Sequence, residues 1–152
     1  DTKLIEFQFK ILHRVYASKS YVANFDNTVS KNCQRCNVDN NIVHTFTECQ
    51  AVKRFWVNFK EMLEECHGEP INLSTAEIIF GKSGISYGAV NFCILYAKWF
   101  IHLHRDKDIV SFQAFKHYLK STFIIEKQIY TNKKKIERFY KLYSAYTRWL
   151  EQ

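Results

Sequence analysis

All four glycines and the only proline of this chain fall between Gly68 and Gly88. Glycine and proline are the residues that break helices, the first through backbone entropy, the second through a missing N–H and a ring clash. A chain that confines them to one short window leaves the stretches on either side free to wind. The expectation is an all-α fold, a multi-helix bundle in two lobes. Residues 1–67 form the N-terminal lobe, with a small zinc knuckle inserted between its helices at about 31–50. Residues 68–88 connect it to a basic C-terminal lobe at 89–152, and the two lobes can close into one compact domain.

Apolar spacing places the helices. Leu4, Ile11, Leu12 and Val15 fall on one face of an opening helix, widened by Ile5, Phe9 and Tyr16. A short second helix runs through Tyr21, Val22 and Phe25. Val52, Phe55, Trp56, Phe59 and Leu63 then repeat at helical spacing from a start at or near Cys49. Residues 89–103 are apolar nearly all round, too few to cross a bilayer and interrupted by Lys98, which predicts a buried central helix. Ser111 is placed to cap a helix carrying Phe115, Leu119, Ile125 and Ile129, with a break at Asn132. Ile136, Phe139, Tyr140, Tyr143 and Leu150 supply the packing face of a last helix beginning at Lys133.

The segment between the second and third helices carries chemistry. Cys33-x2-Cys36-x7-His44-x4-Cys49 offers four soft or borderline ligands on a polar, turn-forming stretch. Zinc binds four such groups as a tetrahedron, and C-x2-C folds one loop around the ion. Cys49, at a helix start, gains from the helix N-terminus as a thiolate. A rival set replaces His44 by Cys66 or His67. With four protein ligands no position stays open for water or substrate, so the expected role of one Zn2+ is structural. The five cysteines leave one over from any disulfide pairing, which favours a reducing compartment and metal ligation.

Net charge is +7, and its distribution is lopsided. Residues 1–97 hold ten Lys and Arg against ten Asp and Glu, whereas residues 98–152 hold twelve against five. Lys133, Lys134, Lys135, Arg138 and Lys141 form the densest part, on a side of the last helix that Arg148 extends. Lys31, Arg35, Lys53 and Arg54 flank the metal ligands as a second cationic group. Basic stripes of this kind contact phosphate backbones, although surface helices also carry lysines for solubility. A Gly-rich phosphate loop, a nucleophile elbow and a His-Glu-x-x-His are all missing from the sequence, and no carboxylates pair in an apolar setting. The segment is therefore not expected to be an enzyme by itself.

Five blocks together resemble a known family. "LIEFQFKILHR" at 4–14, "NCQRC" and "IVHTFTECQAVKRFW" at 32–56, "EIIFG" at 77–81, "NFCILYAKWFIHLHR" at 91–105 and "IEKQIYTNKKKIERFYKLYSAYTRW" at 125–149 are similar to the zinc-binding C-terminal domain of the reverse transcriptase polyprotein of LINE-type (non-LTR) retrotransposons. The resemblance covers nearly the whole chain and carries the ligand role directly to Cys33, Cys36, His44 and Cys49. It implies a piece of a longer protein, in keeping with a chain that begins at Asp1 and shows no signal-peptide pattern. The parent would be an intracellular reverse transcriptase with endonuclease, cytoplasmic and nuclear, with no membrane partner. This domain would be its non-catalytic accessory, binding element RNA, an RNA–DNA hybrid or target DNA during target-primed reverse transcription. A second reading stands beside it: a module that docks protein, either the polymerase or a host factor.

Overall fold

The computed structural model describes residues 1–152, and its regular structure is helical throughout, apart from one isolated antiparallel bridge between Asn32 and Asp39. The eight α-helices are α1 (Thr2–Leu12), α2 (Lys19–Val22), α3 (Gln50–His67), α4 (Thr75–Phe80), α5 (Gly88–Leu103), α6 (Phe112–Asn132), α7 (Ile136–Tyr143) and α8 (Thr147–Glu151). A π-helical turn, His44–Glu48, precedes α3, and short 3-10 turns lead into α5 and α8. No helix is long and apolar enough to cross a membrane.

The helix ends follow their sequence signals. Gly68 stops α3 at φ +70°, a conformation that costs glycine nothing, and its N–H bonds to the Glu64 carbonyl. Ser74 and Glu77 form a reciprocal capping box on α4. Ser111 caps α6, accepting from the Ala114 N–H, as its sequence position predicts.

One contiguous core joins the two lobes, running from Phe7 to Trp149. Around Phe55, the rings of Phe59, Phe100, Phe112 and Phe115 bring α3, α5 and α6 together at centroid distances of 5.1–6.5 Å. A second aromatic set, Phe92, Phe123 and Tyr143, ties α7 to α5 and α6. Such pairs add about 0.5–1.5 kcal/mol each beyond their area burial. Trp56, expected among the packing residues, is buried and donates its indole N–H to the Phe46 carbonyl at 2.6 Å.

Four of the expected faces are different. In α1 the buried residues are Leu4, Phe7 and Ile11, while Ile5, Phe9 and Leu12 face solvent; Val15 is exposed and Tyr16 is buried. The second helix ends at Val22, leaving Phe25 outside it and exposed. In α6 the buried stripe runs Phe115, Leu119, Thr122, Phe123, and Ile125 and Ile129 point outward. The last helix does not begin at Lys133. That residue caps α6, Lys134 takes a left-handed φ of +53°, and α7 starts only at Ile136. Tyr140 is accordingly half-exposed, lying under the Lys127 ammonium rather than in the packing face.

Candidate metal centre

Residues 31–40 fold back on themselves. The Cys33 N–H bonds to Val38 O, Asn37 N–H to Cys33 O and Asn40 N–H to Lys31 O. The tight turn after Cys36 needs a left-handed residue, supplied by Asn37 at φ +53°, and asparagine is among the few side chains that tolerate this region. This hairpin presents Cys33 and Cys36 to the same point.

The other two candidates come from the π-turn. In an α-helix His44 and Cys49, five residues apart, would point about 140° away from each other. The wider i→i+5 winding, closed by the Cys49 N–H on His44 O at 2.9 Å, reduces that separation. Asn41 starts the turn by accepting the His44 N–H at 2.9 Å. Cys49 then serves as the N-cap residue of α3 with extended backbone.

The ligand atoms of Cys33, Cys36, His44 and Cys49 all lie within 4.8 Å of one another, a group able to hold a metal ion. The sulfur of Cys49 is 3.8 Å from Cys33 and 3.9 Å from Cys36. A tetrahedron of sulfurs at the usual zinc–sulfur length has edges of about 3.8 Å, whereas a disulfide needs about 2.05 Å. All five cysteines are free thiols. The imidazole of His44 is buried, and its Nε2 has no hydrogen-bond partner. A buried ring nitrogen without a partner is costly in a metal-free protein, and a metal ion at the centre of the cluster is what relieves it. The residues present therefore fit the group that their spacing implies. The Gln50 N–H lies 3.4 Å from the Cys36 sulfur, an outer contact of the kind that orients a thiolate ligand.

The thiols do not ionise alike. Burial opposes ionisation of Cys33, but the adjoining His44 ring, the Cys36 and Arg35 amides and the Cys49 thiol outweigh it and bring the group down to about 6. Cys49 goes the other way, to about 11, chiefly by burial and then through the neighbouring Cys33 and Cys36 sulfurs. The amide of Ala51 in the first turn of α3 does favour the Cys49 thiolate, but it is outweighed. The expected benefit of the helix N-terminus is present and does not decide the outcome. The rival ligands lie elsewhere: His67 Nε2 is 3.0 Å from the Tyr146 hydroxyl, and Cys66 is pushed up to about 12 mainly by burial.

The basic residues are scattered by comparison. Lys133, Lys134, Lys135, Arg138 and Lys141 are all exposed around the α6–α7 turn, and none pairs with a carboxylate. Lys31, Lys53 and Arg54 are exposed near the knuckle, while Arg35 is partly buried, 3.4 Å from Asp108. Lys98, counted with the cations of the last third, is buried and donates to Gln8 Oε1 at 2.6 Å and Ile79 O at 2.8 Å. Burial alone pulls it down to about 7. Sequence spacing also gave no sign of the contact between Tyr16 and His102, 2.8 Å apart in space and far apart in the chain.

No protein-family model, curated protein or solved structure matches this chain.

Proposed function

We propose that this chain is a zinc-pinned, non-catalytic nucleic-acid-binding domain, serving a non-LTR retrotransposon reverse transcriptase during target-primed reverse transcription. Cys33, Cys36, His44 and Cys49 hold one Zn2+, which supplies cross-linking of the knuckle to the start of α3 and no reaction chemistry. Three thiolates and an imidazole in a tetrahedral arrangement suit zinc above the oxygen-preferring divalent ions. The partners are the element's RNA, an RNA–DNA hybrid or target DNA, and the remainder of the polyprotein.

The observation that carries this reading is the unpaired cationic turn. Lys133, Lys134, Lys135, Arg138 and Lys141 stand exposed without a carboxylate partner, on a framework fixed by Phe139 and Tyr143 beneath. Such cations release counterions when they meet phosphates. The test is a salt titration of binding to single-stranded RNA. A phosphate binder loses affinity linearly in log–log form with a slope of about −0.7 per contact. Affinity independent of salt, or no binding at low salt, overturns the reading.

The protein-docking reading has its own observation. Exposed Leu12 and Phe80 edge a groove of about 690 Å³ between α1, α2 and α4. Binding of the polymerase segment that persists at high salt favours it.

A further inference from the structure

The metal knuckle also forms one wall of a cavity of about 320 Å³. Its other walls are the segment Tyr16–Lys19, the end of α5 at Ile101, Arg105 just beyond that helix, and Val110. Three cationic residues from three separate stretches of chain line it: Lys19, Arg35 and Arg105. None was brought together with the others by sequence spacing.

Each is placed by a different device. Arg105 donates Nη1 to the His102 carbonyl at 2.9 Å. Its direction is steadied by the part-buried pair beside it, in which the Tyr16 hydroxyl meets His102 Nδ1 at 2.8 Å. His102 stays neutral there, pushed down to about 4 by burial and then by Arg105 and Lys10. Arg35 reaches the Arg105 carbonyl with Nη1 at 3.5 Å. Its Nε is buried with no hydrogen-bond acceptor, for Asp108, 3.4 Å away, lies outside hydrogen-bonding geometry. Lys19 is part-buried, and its ammonium makes neither hydrogen bond nor ion pair. The carboxylates nearby are Asp106, exposed on the cavity lining, and Asp108, whose side chain is 98% accessible.

A buried guanidinium Nε whose one carboxylate neighbour, Asp108, is solvent-exposed and out of hydrogen-bonding geometry, together with an ammonium that makes no ion pair and an anchored second arginine, leaves donors free for an anion. The cavity is large enough for a phosphate and part of its sugar, and guanidinium pairs match phosphate oxygens in geometry.

We propose that this cavity is a phosphate-binding pocket that seats one phosphate of a nucleic acid between Lys19, Arg35 and Arg105. It deepens the nucleic-acid reading and rests on it for the source of the phosphate. The knuckle then acts as more than a clasp, since its turn carries Arg35 into the pocket. A terminal phosphate monoester and an internal phosphodiester share this chemistry.

The experiment uses the metal-loaded chain with three probes: inorganic phosphate, a 5′-phosphorylated RNA oligonucleotide and the same oligonucleotide with a 5′-hydroxyl. The variants are Lys19→Gln, whose side chain bonds to nothing that the fold needs, and Lys19→Gln with Arg105→Gln. Circular dichroism and metal content are followed in parallel. The pocket requires that phosphate binding be lost in the double variant and that RNA affinity fall about tenfold or more, with helicity and metal content unchanged. A loss confined to the 5′-phosphorylated oligonucleotide identifies a chain end as the source, and an equal loss for both identifies an internal phosphate. Wild-type affinity for phosphate and RNA in folded variants overturns the pocket while leaving the nucleic-acid reading intact. Loss of metal with unaltered RNA affinity also overturns it, assigning the cations to the metal centre. Phosphate binding that disappears in the variants of a chain that never binds RNA keeps the pocket and removes the wider reading. Absence of both kinds of binding in the wild type removes both.

Discussion

The knuckle and the α6–α7 turn are both polar loops between helices, and both were marked by dense functional residues in the sequence. They differ in what the fold does with those residues. In the knuckle four side chains converge on one point, three of them buried, and one ring nitrogen waits without a partner. Around the turn five cations spread outward, all exposed, with no shared target. Convergence constrains chemistry, since few ligands satisfy four donors at fixed separations. Divergent charge constrains only the sign of a partner. The difference shows why a ligand set is specific evidence of a metal, whereas a basic stretch is evidence of a field.

The largest expected effect comes from breaking the convergent site. Apparent zinc-binding free energies in small structural sites are about 10–16 kcal/mol, so Cys33→Ser or a strong chelator should unfold residues 31–49 and fray the start of α3. Metal analysis should fall from one zinc per chain to much less than one. The core around Phe55, Phe100 and Phe115 involves α5 and α6 as well as α3, so helicity should drop only in part. Full metal content after Cys33→Ser, or wholesale unfolding, breaks the view of a local clasp.

Next in size is Trp56, whose indole links α3 to the π-turn through Phe46. Trp56→Ala removes a buried ring at a cost of about 3–5 kcal/mol and leaves the Phe46 carbonyl without its donor. The melting temperature should fall well before RNA affinity changes in any sequence-dependent way. Intact stability with abolished RNA binding would instead make Trp56 a stacking platform.

Helix existence was legible because breakers and caps are local signals. The face each helix buries was less so. In α1, Leu4, Phe7 and Ile11 form one stripe at 3–4 spacing, and Ile5, Phe9 and Leu12 form another. Periodicity cannot choose between two equal stripes. The choice belongs to Phe46, Trp99 and His102, against which Phe7 packs edge-on or tilted. The Cys/His cluster was legible for the opposite reason, its four residues all lying within one short segment whose turns are self-made. The pocket of Lys19, Arg35 and Arg105 was not, since it exists only once α5 lies beside the knuckle. Charge counting also misread Lys98, a cation by composition whose charge burial in the core disfavours.

That lysine gives a pH prediction of intermediate size. Its ordinary value of 10.5 is lowered to about 7 by burial, so the unfolded chain binds a proton that the folded chain releases. A depressed lysine of this kind destabilises the fold below about pH 7 and ceases to do so as pH rises toward 10.5. Stability should therefore climb between about pH 7 and 9, by up to roughly 1.4 kcal/mol per pH unit. Above that range the raised thiols and tyrosines, Cys66 and Tyr16 both at about 12, reverse the slope. Lys98→Met should flatten the climb, and denaturant unfolding at pH 7, 8 and 9 measures it. Equal slopes in the two proteins would mean that Lys98 keeps its proton inside.

The smallest effect on stability, and the one that sharpens the comparison most, belongs to the divergent region. Changing Lys133, Lys134 and Lys135 together to glutamine touches no buried contact, because all three side chains are exposed. Each exposed substitution should leave stability within about 0.5 kcal/mol. Lys134 needs care, since its φ of +53° is left-handed, but glutamine carries no greater strain there than lysine does. Phe139 and Tyr143 still hold α7 in place, and the metal site keeps its ion. Binding is where the change should show. If the turn tracks phosphates, the log–log salt slope should flatten by about 0.7 for each contact removed on single-stranded RNA. The loss should be nearly equal for unrelated sequences, because phosphate contacts carry no base information directly. The same triple variant should still bind inorganic phosphate, whose pocket lies at the knuckle and uses none of these lysines. A folded triple variant with wild-type affinity and slope would move the nucleic-acid surface away from the α6–α7 turn. Lys31, Lys53 and Arg54 would then be left, beside the pocket, as the cations that meet the backbone.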